Sequence, residues 1–102
     1  MNSVIVLVNV FEVRGSEAEF ERAFTDLSAS VRARPGFLHH RLLRPRDGSP
    51  TYINVAEWEN EQSLRDALSH PEVTRRLAPL AALATGTPTI CHPVLDGFPP
   101  EV

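Results

Sequence analysis

Two asparagines and the chain's one tryptophan stand in rows of apolar side chains. Thr51-Tyr52-Ile53-Asn54-Val55-Ala56-Glu57-Trp58 alternates as a β-strand does, with Tyr52, Asn54, Ala56 and Trp58 on one face. Val4 to Val13 is a second such run, where Asn9 interrupts Ile5, Leu7, Phe11 and Val13. A buried carboxamide without a hydrogen-bond partner costs about 1–3 kcal/mol, so each amide must be met by the protein or by something bound. If the two strands are neighbours, both amides face one apolar space, with Trp58 about 13 Å along its strand from Asn54. An apolar cavity with a few convergent polar groups is the usual form of a small-molecule site. The bland alternative pairs the two amides with each other, or with a bulge, and leaves Trp58 as core. Spacing alone does not separate these readings.

Other chemistries find little support. The chain has no glycine-rich phosphate loop, no GxSxG, no paired-cysteine metal spacing and no HExxH. His39 and His40 are strand neighbours that point to opposite faces, so they cannot share a metal. Cys91 and His92 have the same defect, and Cys91 has no adjacent activator that would make it a nucleophile. His70, just before Pro71, reads as a helix N-terminal residue. All ten basic residues are arginines, which excludes a Schiff-base lysine.

The elements that must position these residues follow from periodicity and punctuation. Val4–Val13 is apolar on both faces and so must be covered on both. Gly15 ends it. Ser16-Glu17-Ala18-Glu19 is a capping box, and Phe20, Phe24, Leu27 and Val31 follow at helical spacing, predicting a helix that ends near Arg34 before Pro35-Gly36. Phe37–Arg44 is a second strand, Arg46-Asp47-Gly48-Ser49 a turn, and Thr51–Trp58 the third strand of a hairpin. Asn60 caps a helix over Glu61 to about Leu68, and Pro71 at a first helical position starts another to Leu83. Thr85–Pro88 reads as a loop, and Thr89–Leu95 as a last strand with an edge or bulge at Pro93. The tail, Gly97–Val102, should be loosely held unless it docks on a partner.

This order is β-α-β-β-α-β, the ferredoxin-like pattern of a four-stranded antiparallel sheet with helices on one face and the first and third strands central. Two such sheets pairing in a dimer is the simplest cover for the other face. At 102 residues the chain is expected to be one domain, residues 1–102, and long enough to hold a core without metal or disulfide. A hydrophobic content of 42% fits a globular protein. The net charge of −3 argues against nucleic acid as a partner. No apolar run is long enough to span a membrane, and residues 3–8 lack the flanks of a signal peptide. One cysteine cannot form an internal disulfide, which points to a reducing cytoplasm.

The blocks Val8-Asn9-Val10-Phe11, Arg34-Pro35-Gly36-Phe37 and Tyr52-Ile53-Asn54-Val55-Ala56-Glu57-Trp58-Glu59 resemble the antibiotic biosynthesis monooxygenase family, with the likeness running from Val4 to Leu95. Within it the chain is most similar to the cofactor-independent anthrone monooxygenases of aromatic polyketide pathways, of the nogalamycin type, to which Phe37–Asp47 is also similar. The resemblance implies a dimer whose two sheets pack into a barrel. It also implies catalytic roles for Asn9, Asn54 and Trp58. The haem-degrading branch shares Asn9 but needs a tryptophan and an iron-ligating histidine where this chain has Ala67 and Arg76, and arginine cannot ligate iron. The actinorhodin-type site places a tyrosine where this chain has Leu64.

The reaction so implied is oxidation of an anthrone-like aromatic polyketide to a quinone by O₂, with no cofactor. Triplet O₂ does not insert directly into a closed-shell substrate, but an electron-rich enolate can pass it one electron. The substrate then does what a flavin does elsewhere. Asn9 and Asn54 are too weakly basic to take the proton outright and are expected to hydrogen-bond substrate oxygens. Trp58 is expected to stack on the rings and donate its indole N–H. Ile5, Leu7, Phe11, Tyr52 and His39 are the expected substrate-binding residues, with His39 or His40 a possible proton acceptor. Two other classes compete: a cofactor-free polyketide cyclase, which would consume no oxygen, and a non-catalytic dimeric domain that binds small molecules.

Overall fold

The computed structural model describes residues 3–101. Along the chain run β1 (Ile5–Val13), α1 (Glu17–Val31), β2 (Phe37–Leu43), β3 (Thr51–Trp58), α2 (Glu61–Ser69), α3 (Pro71–Leu83) and β4 (Ala84–Cys91). The strands form one antiparallel sheet in the order β2-β3-β1-β4, so β1 and β3 are central, as the sequence pattern requires. This is the ferredoxin-like arrangement.

Local chemistry accounts for the helix boundaries. Ser16 Oγ accepts from the Glu19 N–H at 3.1 Å, and Asn60 Oδ1 from the Ser63 N–H at 2.8 Å. His70 closes α2 and opens α3, its Nδ1 accepting from the Glu72 N–H at 3.2 Å, and Pro71 fills the first helical position.

The helices cover the face that carries Ile5, Phe11 and Val13 of β1 and Tyr52, Ala56 and Trp58 of β3. Two adjoining apolar clusters fill that layer. Phe11, Phe20 and Phe24 stack with centroids 5.4–6.0 Å apart in one, beside Tyr52, Val73 and Leu80. Ile5, Ala56, Trp58, Leu64 and Ala67 make the other. The opposite face carries Val6, Val8 and Val10 of β1 and Ile53 and Val55 of β3, all half-buried, with no helix over them among the described residues.

The last strand departs from expectation. Residues 85–88 are not a loop: β4 begins at Ala84, directly at the end of α3, and ends at Cys91, short of Pro93. Pro88 lies inside it, opposite Asn9. An edge strand tolerates this, because only one of its sides must supply ladder donors. Residues 92–101 carry no regular structure, and Val94, Leu95 and Phe98 are 96%, 89% and 86% exposed.

Candidate active site

Asn9 and Asn54 are directly opposite each other on β1 and β3. Opposed side chains on one face stand about 4.5–5.5 Å apart at Cβ, so the two residues are neighbours on the helix-covered face. Both line one part-open apolar cavity between the sheet and the helices, with about 630 Å³ of empty space, its opening included. Trp58, Leu7 and Phe11 line it from the strands, and Phe24, Leu27 and Ser28 from α1. Leu64, Leu68 and Leu77 close it from α2 and α3, with Leu68 45% exposed at the rim. A cavity with this apolar lining and a few convergent polar groups suits a largely aromatic molecule.

The expected substrate-binding residues divide. Leu7 and Phe11 are in the wall. Ile5 is not: it is buried opposite Trp58, among Ala56, Leu64 and Ala67. Nor is Tyr52, which lies under α1 with its ring 4.7 Å from Phe20 and its hydroxyl donating to the Glu21 carboxylate. His39 is on the other face of the sheet, with Nδ1 4.0 Å from Glu57. The histidine of β2 that enters the cavity is His40.

A β-bulge between Phe37 and His39 explains the exchange. Phe37 pairs with Trp58 and His39 already with Glu57, so one extra residue is accommodated. Strict alternation from Phe37 would turn His39 inward. The bulge resets the parity, and Phe37, His40 and Leu42 share the inner face. Phe37 then meets Trp58 edge to face, centroids 5.3 Å apart, and pins the indole. Such a pair is worth about 0.5–1.5 kcal/mol beyond its buried area.

His40 is fully engaged. Its Nδ1 is 3.1 Å from Asn54 Oδ1, its Nε2 is 2.7 Å from Ser28 Oγ, and its ring lies between Phe24 and Phe37. Ser28 was legible in principle, as a polar residue within the apolar stripe Phe24, Leu27, Val31. Two buried polar atoms have no partner among the described residues: Asn9 Oδ1 and Trp58 Nε1. Each would be costly to leave unmet in a region that served only packing.

The likeness to known proteins covers the same residues. The family profile described as antibiotic biosynthesis monooxygenase matches residues 4–77. The deoxynogalonate monooxygenase of Streptomyces nogalater is 40% identical over 81 residues, 79% of this chain and 69% of its own. A mycobilin-producing haem oxygenase of Mycobacterium tuberculosis is 33% identical over 70 residues, 68% of this chain and 67% of its own. Among solved structures, SnoaB, a cofactor-independent oxygenase from Streptomyces nogalater, superposes with a TM-score of 0.88 at 34% identity, covering 96% of this chain and 99% of that one.

Proposed function

The chain belongs to the antibiotic biosynthesis monooxygenase family, and we propose that it oxidises an anthrone-like aromatic polyketide to a quinone with O₂, through a substrate enolate and without a cofactor. The observation that carries the reading is the meeting of Asn9, Asn54 and Trp58 in one apolar cavity, with polar atoms there that folding leaves unpaired.

The chemistry asks for little else. Loss of a proton from the activated methylene gives an enolate, which passes one electron to O₂. The substrate radical and superoxide recombine to a peroxide at that carbon. After protonation, the hydroperoxide loses water to leave a carbonyl. One oxygen atom enters product and the other leaves as water. Amide N–H groups aimed at the enolate oxygen in a water-poor cavity can contribute about 3–4 kcal/mol each. The Trp58 face supports the rings, and its N–H serves a carbonyl or the peroxide. The proton leaves to water, since both His40 nitrogens are already engaged.

Haem chemistry, the activity of one relative, does not fit these residues. Ala67 is buried outside the cavity wall, and the Arg76 guanidinium is 2.6 Å from the Glu72 carboxylate. His40 is the one imidazole in the wall, and neither of its nitrogens is free for iron.

In this reading residues 1–102 act as one domain in a reducing cytoplasm, as a homodimer joined through the sheet face that no helix covers. No helix among the described residues is long and apolar enough to cross a membrane. The test is oxygen consumption by metal-stripped, flavin-free protein supplied with a simple anthrone such as dithranol, with quinone absorbance followed against the spontaneous rate. Uptake above background is expected. Asn54→Ala and Trp58→Phe should each lower kcat by about 10²-fold or more while remaining folded. Full activity in both would remove the proposed roles, and turnover without oxygen uptake would transfer the site to a cyclase.

A further inference from the structure

The hydrogen bonds around His40 have a direction. Asn54 Oδ1 has no hydrogen to give, so the 3.1 Å contact requires a proton on His40 Nδ1. In the neutral ring Nε2 then carries the lone pair, and Ser28 Oγ, 2.7 Å away, donates to it. The chain therefore runs Ser28 O–H to His40 Nε2, then His40 Nδ1–H to Asn54 Oδ1. Its end point is a carboxamide oxygen held back against β2. The other half of that carboxamide, the Nδ2 amide, is left for the cavity.

Asn9 has no such holder: its carboxamide oxygen accepts no hydrogen bond among the described residues. Its Oδ1 lies beside β4, only 2.9 Å from where a Cβ on Gly86 would stand, and a side chain at that position would collide with it.

We propose that His40 is a positioning residue, its tautomer set by Ser28, whose task is to hold Asn54 with its N–H toward the cavity. The site then presents the N–H groups of Asn54 and Trp58 as donors. Donors placed in this way suit an oxyanion and not a hydroxyl that must itself donate. This deepens the functional reading above and rests on it for its catalytic consequence. The substrate class follows: a molecule that binds through a carbonyl or enolate oxygen, not through a phenol acting as donor. His40 is not the proton acceptor, because Ser28 occupies the nitrogen that would be needed.

Two measurements test this. The first is the His40 tautomer, read from imidazole ¹⁵N and ¹³C shifts at about pH 8, above the ordinary imidazole range. The Nδ1–H form is expected in the wild type, with the Nε2–H form gaining population in Ser28→Ala. An Nε2–H tautomer in the wild type would mean that the carboxamide is turned the other way, and would overturn the proposal. The second is the kinetic split between His40→Leu and His40→Asn. Asparagine can place an N–H where Nδ1 stood, and leucine cannot. His40→Leu should lose about tenfold or more in kcat with KM nearly unchanged, as a misplaced donor does. His40→Asn should recover to within a few-fold of wild type. Equal loss in both would mean that imidazole itself acts on the substrate, and no loss in either would mean that Asn54 needs no holding. Either result overturns the proposal. Should His40→Leu not fold, Ser28→Ala with the tautomer reading carries the test. If the wild type oxidises no anthrone, the functional reading fails, and the tautomer alone still rules on how Asn54 is turned.

Discussion

At the scale of single residues, Tyr52 and Asn54 share one strand face and have different roles. Asn54 meets the cavity, whereas Tyr52 is buried under α1 with its hydroxyl on the Glu21 carboxylate. Burial, and then that hydrogen bond, hold the phenol above its ordinary range, with Arg44 opposing. A raised phenol keeps its proton in the folded state after the unfolded chain has lost it. Its contribution to stability is therefore complete below the unfolded value, near pH 10, and is lost as pH rises through the folded one. The urea midpoint should fall as pH is raised beyond about 10, and fall less steeply in Tyr52→Phe. Identical slopes would show that Tyr52 does not drive the alkaline transition. Activity should be little changed in that variant, since Tyr52 is outside the cavity wall.

At the scale of elements, the junction of α1 with β2 positions one side of the site. Arg34-Pro35-Gly36 turns the chain so that Phe37 reaches Trp58, and the bulge that follows brings His40 inward. Gly36 sits at φ +84°, and a Cβ there would lie 2.2 Å from Ser63 Oγ and 2.4 Å from Ser63 Cβ on α2. Its carbonyl also accepts from the Glu59 N–H at 2.8 Å, tying the turn to the end of β3. Gly36→Ala meets both a left-handed backbone and a collision, and should cost at least about 1–3 kcal/mol in urea unfolding. Gly48, in the β2–β3 turn at φ +80° with open space around it, is the control. Gly48→Ala should cost less, and equal costs would show that contact with Ser63 is unimportant. Because the junction sets the indole, Gly36→Ala should lower kcat as well.

At the scale of the whole molecule, one sheet face has helices and the other has none. Val6, Val8, Val10, Ile53 and Val55 lie together on the open face, with Leu43 42% exposed beside them. Contiguous apolar patches of this kind on a soluble chain mark interaction sites. A second copy presenting the same face would bury it. Light scattering should return about twice the 11.3 kDa chain mass. Val8→Arg, in the middle of that face, should give a folded monomer. A monomeric wild type would remove the dimer from the functional reading.

The rows Ile5-Leu7-Asn9-Phe11 and Tyr52-Asn54-Ala56-Trp58 were legible in the sequence because successive strand residues point to opposite faces, and a polar residue in an otherwise apolar row stands out. The capping residues Ser16 and Asn60 were legible too, because a cap is a local bond within three residues. Parity in β2 was not, since a bulge is decided by how the strand pairs with β3 across the hairpin and not by the residues of β2 alone. His39 was expected among the substrate-binding residues with the face of either histidine left open, and it is His40 that lines the cavity. The start of β4 was likewise hidden, because Thr85-Gly86-Thr87-Pro88 has loop chemistry and becomes a strand only by laddering along β1. The sequence by itself determined the order of elements, their caps, and the two amides and one indole on a common sheet face. Only the tertiary structure decided which residues share the cavity, and that Ser28 reaches Asn54 through His40. Alternation and capping are short-range properties of the chain, whereas a cavity wall and a hydrogen-bond chain exist only once distant segments have packed.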